Sequence, residues 1–263
     1  MLKSDYYRRY QENLELLEIE MKLVKKTTQT HLGKLEWEDK ESHDMGEIEN
    51  ERKSILAGTR LYSFLLCSWF EARLYKIVYE ASSMAFSDSE ITSIMSQDKM
   101  DTKWKMCYAY AICKNYGFSY TTGKNYSAEF IQGSREQLNY NEVIKMLDDI
   151  QNAITIRNRL AHGQWSVQFN SRRTAIATYD FFSKYDNIQK LVLLKEKFSL
   201  IAEIISDYVV FKDKTSGQRD FNDFIYNKIK KVQNIEIRIL KHNFEKYCKR
   251  FLDIEKRKRE NYS

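Results

Sequence analysis

Tyr7, Tyr10, Leu14, Leu17, Met21 and Val24 recur at spacings of 3, 4, 3, 4 and 3. That is one face of an α-helix, with Glu12, Glu15, Glu18 and Lys22 off it. The pattern predicts an amphipathic helix over about 4–30 that packs on the body or on a partner chain. Periodicity lapses in GKLEWEDKESHDMG, residues 33–46, which predicts an acidic loop or a frayed helix end. A second long helix is predicted over about 47–81. Its middle, LYSFLLCSWF, is apolar nearly all round and belongs at the centre of the core.

Ser87-Asp88-Ser89-Glu90 offers an N-cap for a short helix ending near Ser96. Another is expected over about 99–115, stopping before Gly117. Residues 117–136, GFSYTTGKNYSAEFIQGSRE, read as the longest loop. From Asn139 to Ala161, Val143, Leu147, Ile150, Ile154 and Ala161 share one helical face, and Gly163 is the natural stop. The period then changes. Trp165, Val167 and Phe169 alternate, as do Thr174, Ile176 and Thr178, which predicts a short β-hairpin. Helices are expected again over about 183–212 and 219–259.

The chain has no proline and only 8 glycines among 263 residues, so nothing forbids long helices and turn-rich sandwiches are disfavoured. The expected fold is all-α: a helical bundle with a small β-hairpin after the helix ending at 161–162, and added N- and C-terminal helices. Three stretches are expected: 1–46, amphipathic helix and acidic loop; 47–215, helical core; 216–263, basic C-terminal helix packed on the core. No signal peptide or membrane span is evident, and Cys67, Cys107, Cys113 and Cys248 lack CxxC spacing. Reduced buried thiols in a cytoplasmic protein are the reading, with no metal and no cofactor. The formal charge is +6, unevenly placed. Residues 228–260 carry 12 basic and 5 acidic side chains, which suits a polyanionic partner or a simply solvated helix.

GKNYS at 123–127 lacks the rest of a phosphate-binding loop, and no G-x-G-x-x-G, H-E-x-x-H or G-x-S-x-G occurs. Of four histidines, His31, His43 and His242 read as plain surface residues. His162 closes the run Arg157-Asn158-Arg159-Leu160-Ala161-His162. Asn158 and His162, four apart, share a helix face. Arg157 lies about 140° around from His162, but its long stem can bring the guanidinium to the same mouth. Imidazole moves protons near neutral pH, guanidinium matches phosphate oxygens, and the amide can orient either partner. The trio suits attack on a phosphodiester. An Arg-Asn-x3-His run is expected on the order of 0.01 times in a chain of this composition. The plain alternative is a surface Arg and a His at a helix C-terminus.

The string RNRLAHGQW, following an amphipathic helix in a helical chain, resembles the HEPN superfamily, whose signature is R-x4-6-H with a polar residue after the Arg. The resemblance spans about 47–212. It implies a metal-independent endoribonuclease in which the ribose 2′-OH attacks the adjacent phosphate, leaving a 2′,3′-cyclic phosphate and a 5′-OH. It also implies a homodimer that pairs two motif helices into one composite cleft. Catalytic roles fall on Arg157, Asn158 and His162, and single-stranded or loop RNA is the expected substrate. Members of similar size are often toxins or anti-phage effectors, so an antitoxin or regulatory partner is a further expectation.

Two secondary sets complete the candidates. Glu71, on the apolar central helix, either orients Arg157 or His162, as an acidic residue does in similar domains, or pairs with Arg73 or Lys76. Arg159 is a phosphate contact or a solvated charge. Tyr120 and Tyr126 with Lys114 and Lys124 either stack RNA bases or anchor the loop. The competing function class is a non-catalytic helical module that binds nucleic acid or a partner protein.

Overall fold

The computed structural model describes residues 2–38, 45–82, 85–148, 150–163, 187–211, 218–243, 246–249, 253 and 257. Every regular element among them is helical: α1 (Lys3–Glu38), α2 (Met45–Val78), α3 (Asp88–Met95), α4 (Met100–Tyr116), a 3₁₀ turn (Tyr126–Glu129), α5 (Arg135–Asp148), α6 (Ile150–Ala161), α7 (Ile188–Val210) and α8 (Gln218–Leu240). No described helix is long and apolar enough to cross a membrane. The expected hairpin at 165–178 lies outside the described residues.

The two long helices α1 and α2 pack side by side. Leu14, Met21, Thr28 and Leu32 turn inward from α1. Their axes approach closely where Gly58 meets Thr28, and a Cβ on Gly58 would sit 2.1 Å from Thr28 Oγ1. Helix α1 continues through Gly33 instead of ending there. One glycine costs a helix about 1 kcal/mol. Burial of Leu32, the contact of His31 with Glu51 of α2 and the ion pair from Lys34 to the same carboxylate hold the extra turn in place.

The apolar middle of α2 is the hub, as its pattern predicts. Phe70 stacks on Trp104 of α4 at 4.4 Å and on Phe198 of α7 at 4.3 Å between ring centres. Leu66, Leu74 and Val78 are fully enclosed. Ser87 caps α3 with a reciprocal bond to Glu90, the capping box that its S-x-x-E spacing encodes. Gly117, at φ 74°, ends α4 in the left-handed conformation that favours glycine.

Helix α5 begins at Arg135, four residues before the expected start. Ser134 Oγ accepts the Gln137 amide at 3.3 Å and Gln137 Oε1 accepts the Gly133 amide at 2.7 Å. Both bonds involve the S-x-x-Q run at 134–137, a start signal inside what reads as a loop by composition. Helix α8 ends at Leu240, short of the single helix expected to 259. Residues 241–243 break it, and Asn243 Oδ1 accepts the Lys246 amide at 3.0 Å to open the next turn.

Two basic side chains of α8, Lys228 and Arg238, are paired with carboxylates of α7. Ile225, Ile229, Val232 and Ile235 pack inward. Lys228 pairs with Asp207 at 2.7 Å, the buried Lys197 of α7 with Glu236 at 2.9 Å, and Arg238 with Glu196 at 3.4 Å.

Candidate functional site

Helix α6 packs against α2 and α4, with Leu160 buried and Ile154 half-buried against the core. A helix held by one face must present the other to solvent. That other face carries the candidate chemistry. Asn158 and His162 are both exposed. The His162 amide donates to the Asn158 carbonyl at 3.1 Å and to the Arg159 carbonyl at 3.2 Å, so the two residues stand one turn apart at the helix end. Gly163, exposed at φ 77°, stops the helix there, and its amide reaches the Leu160 carbonyl at 3.0 Å. Arg159 is half-buried beside them. Ala161, expected on the apolar face, is exposed: Leu160, one residue earlier, takes the core position of the last turn. The Arg157 backbone is helical, and its side chain lies outside the described residues.

The other described histidines are engaged elsewhere. His31 Nδ1 lies 2.5 Å from Glu51 Oε2 in the α1–α2 contact. The His242 ring tilts against Tyr247. His43 lies outside the described residues. One chain therefore brings one described imidazole to the end of α6.

Glu71 is turned toward α1. It accepts the Tyr75 hydroxyl at 2.9 Å and lines an open groove of about 400 Å³ with Tyr10, Asn13, Leu17, Glu20 and Ser68. Burial and the nearby Glu71 carboxylate raise the Tyr75 hydroxyl well above its ordinary range, so it stays a proton donor to Glu71. Tyr75 stands one helical turn on, at i+4, where a donor on the same helix face reaches Glu71.

The aromatic loop after α4 takes the anchoring alternative at its central ring. Tyr126 is fully buried. Its hydroxyl accepts the Thr121 amide at 2.6 Å, and its own amide donates to the Tyr140 hydroxyl at 3.1 Å. No face of that ring is open to a base, in keeping with the anchoring alternative. Tyr120 lies on Tyr110 with ring centres 3.8 Å apart. Lys114 pairs with Glu90 at 2.9 Å and donates to the Ala85 carbonyl, and Lys124 pairs with Glu129. Both lysines thus have carboxylate partners that an RNA phosphate would have to displace.

Among the described residues no group of three or more His, Cys, Asp or Glu stands close enough to hold a metal. Burial pushes the Cys107 thiol well above its ordinary range, which keeps it an inert packing group.

Comparison of the chain with protein-family models, with curated proteins and with solved structures finds no match. The functional reading therefore stands on the residues themselves.

Proposed function

We propose that the chain is a HEPN-like, metal-independent endoribonuclease whose site is built on the end of α6 from Arg157, Asn158 and His162. The observation that carries this reading is the exposed pair Asn158 and His162, one turn apart on the helix terminus that Gly163 closes. Both residues are exposed to solvent, where a phosphodiester can reach them.

In the proposed reaction an imidazole takes the proton of a ribose 2′-OH and the freed oxygen attacks the adjacent phosphorus. The bond from phosphorus to the 5′-oxygen breaks, and the departing oxygen takes a proton from a second group. The products are a 2′,3′-cyclic phosphate and a 5′-OH. Arg157 and Asn158 hold the non-bridging oxygens as charge gathers on them. Base and acid are two roles, and each chain brings one described imidazole to this helix end. A two-fold pair of chains supplies both, because an isologous contact through the α5–α6 face sets the two motifs opposite each other. A toxin or anti-phage role belongs to the same reading.

The test is cleavage of single-stranded RNA in EDTA by the purified chain, with product ends identified and His162→Ala as the control. Cyclic-phosphate ends that vanish with His162→Ala uphold the proposal. Products with 5′-phosphate, or cleavage untouched by His162→Ala, overturn it. RNA binding with no cleavage returns the chain to the competing class, a binding module.

A further inference from the structure

Helix α1 carries two apolar seams. One faces α2 through Leu14, Met21 and Thr28. The other is Leu16, Ile19 and Leu23, spaced 3 and 4, and these three side chains are 62%, 58% and 57% exposed. At about 100° per residue the second seam is centred about 165° around the helix from the first, so α2 cannot cover it. Isolated exposed leucines are ordinary, but successive apolar residues along one helix face make the kind of surface that a partner helix fits. Leu16 also lines the α1–α2 groove, which extends the patch toward Leu17 and Ala72.

The charges beside this seam select the partner. Residues 12–20 hold four glutamates and no basic residue, while 22–34 hold four lysines and no acidic one. Glu18 and Lys34 have partners inside the fold, in Lys195 and Glu51. Glu12, Glu15, Glu20, Lys22 and Lys26 point to solvent. A partner helix of uniform charge would meet like charge along half its length. A helix with the same split, laid antiparallel, meets opposite charge along all of it, and α1 itself carries that split. A two-fold axis near Met21 sets Ile19 of one copy beside Leu23 of the other and opposes the helix dipoles.

We infer that the outer face of α1 is a homotypic docking surface on which α1 of a second copy of this chain lies antiparallel, with Leu16, Ile19 and Leu23 as its seam. This surface is separate from the α5–α6 contact of the ribonuclease proposal and does not rest on it.

The test is sedimentation equilibrium of the full chain and three variants: Ile19→Lys, the triple E12K/E15K/E20K, and the double K22E/K26E. Ile19→Lys should weaken one association step by about 100-fold or more and halve the assembly mass at micromolar concentration, with helix content unchanged. Each charge variant alone should do the same through self-repulsion. An equimolar mixture of the two charge variants should reassociate as a mixed pair, because their charges again oppose. An unchanged mass for Ile19→Lys overturns the inference, as does failure of the two charge variants to pair with each other. An unchanged mass with lost stability would mean that this chain covers its own seam, and overturns it equally. A contact through α5–α6 is untouched by these substitutions, so RNA cleavage reports on that proposal separately.

Discussion

The loop between α4 and α5 and the last turn of α6 are built from similar material: polar and basic side chains beside a left-handed glycine. The fold uses them in opposite ways. In the loop, Tyr126 is sealed in the core, Tyr120 lies on Tyr110, and Lys124 is held by Glu129. In the turn Leu160 goes inward, while Asn158 and His162 face water. Aromatic bodies gain more from burial than the same chain gains by displaying them, provided the hydroxyl finds a partner, as Tyr126 does with Thr121. Asn and His at a helix end have little apolar surface to gain from burial. Residue type therefore proposes two sites, and packing separates one of them as structural.

The sharpest way to break this contrast is His162→Ala. RNA cleavage should fall by about 10²–10⁴-fold, the usual worth of a positioned acid–base group. Stability from urea unfolding should change by less than about 0.5 kcal/mol, as expected of an exposed residue. A large stability loss would place His162 with the structural group instead.

Tyr126→Ala should show the mirror image. Removing a fully buried aromatic ring costs about 3–5 kcal/mol and leaves the Thr121 amide unpaired. Denaturant unfolding measures it, and unchanged stability would mean that the loop is free to serve as a surface. Cleavage per folded molecule should hold within a few-fold.

Alkaline pH sharpens the same division without mutation. Burial pushes the Tyr62 hydroxyl up to about 12, and it raises those of Tyr108, Tyr126 and Tyr208 from their ordinary value as well. Below pH 10 both folded and unfolded chains keep these protons and stability is flat. Between 10 and the raised folded values only the unfolded chain releases them. Stability then falls by about 1.4 kcal/mol per pH unit for each such tyrosine. Phenolate absorbance should therefore lag the free-tyrosine curve and then rise together with unfolding. A curve that follows free tyrosine would show these rings open to water.

Smaller effects come from the residues at the edges of each region. Gly163→Ala places a Cβ at φ 77° and should cost about 1 kcal/mol, with cleavage reduced because the turn that presents His162 is strained. Lys124→Gln removes an exposed ion pair and should change stability by at most about 1 kcal/mol. RNA binding should be unaltered, and a clear fall in affinity would return the loop to the nucleic-acid surface.

The cap signals were legible where they were sought. S-x-x-E at 87–90 starts α3 and Gly117 ends α4 as their spacing predicts. The same kind of signal in S-x-x-Q at 134–137 was outweighed by the polar composition around it. Gly33 acts in the opposite direction, because the burial of Leu32 and the contacts of His31 and Lys34 with Glu51 outweigh one glycine. Of the candidate site, the shared face of Asn158 and His162 was readable because it depends on a four-residue spacing alone. The engagement of Glu71 with Tyr75 was a local i,i+4 choice among several available neighbours.

Period and capping determined the helices, the apolar hub on α2 and the one-turn spacing of the site, because each depends on bonds and faces within a few residues of chain. The tertiary structure alone decided that Tyr126 is sealed while His162 is open, that Lys228 is spent on Asp207, and that Leu16, Ile19 and Leu23 stay uncovered. Those outcomes depend on which distant surface lies opposite a given face. A helix with two apolar seams cannot encode in its own spacing which of them its neighbour will take.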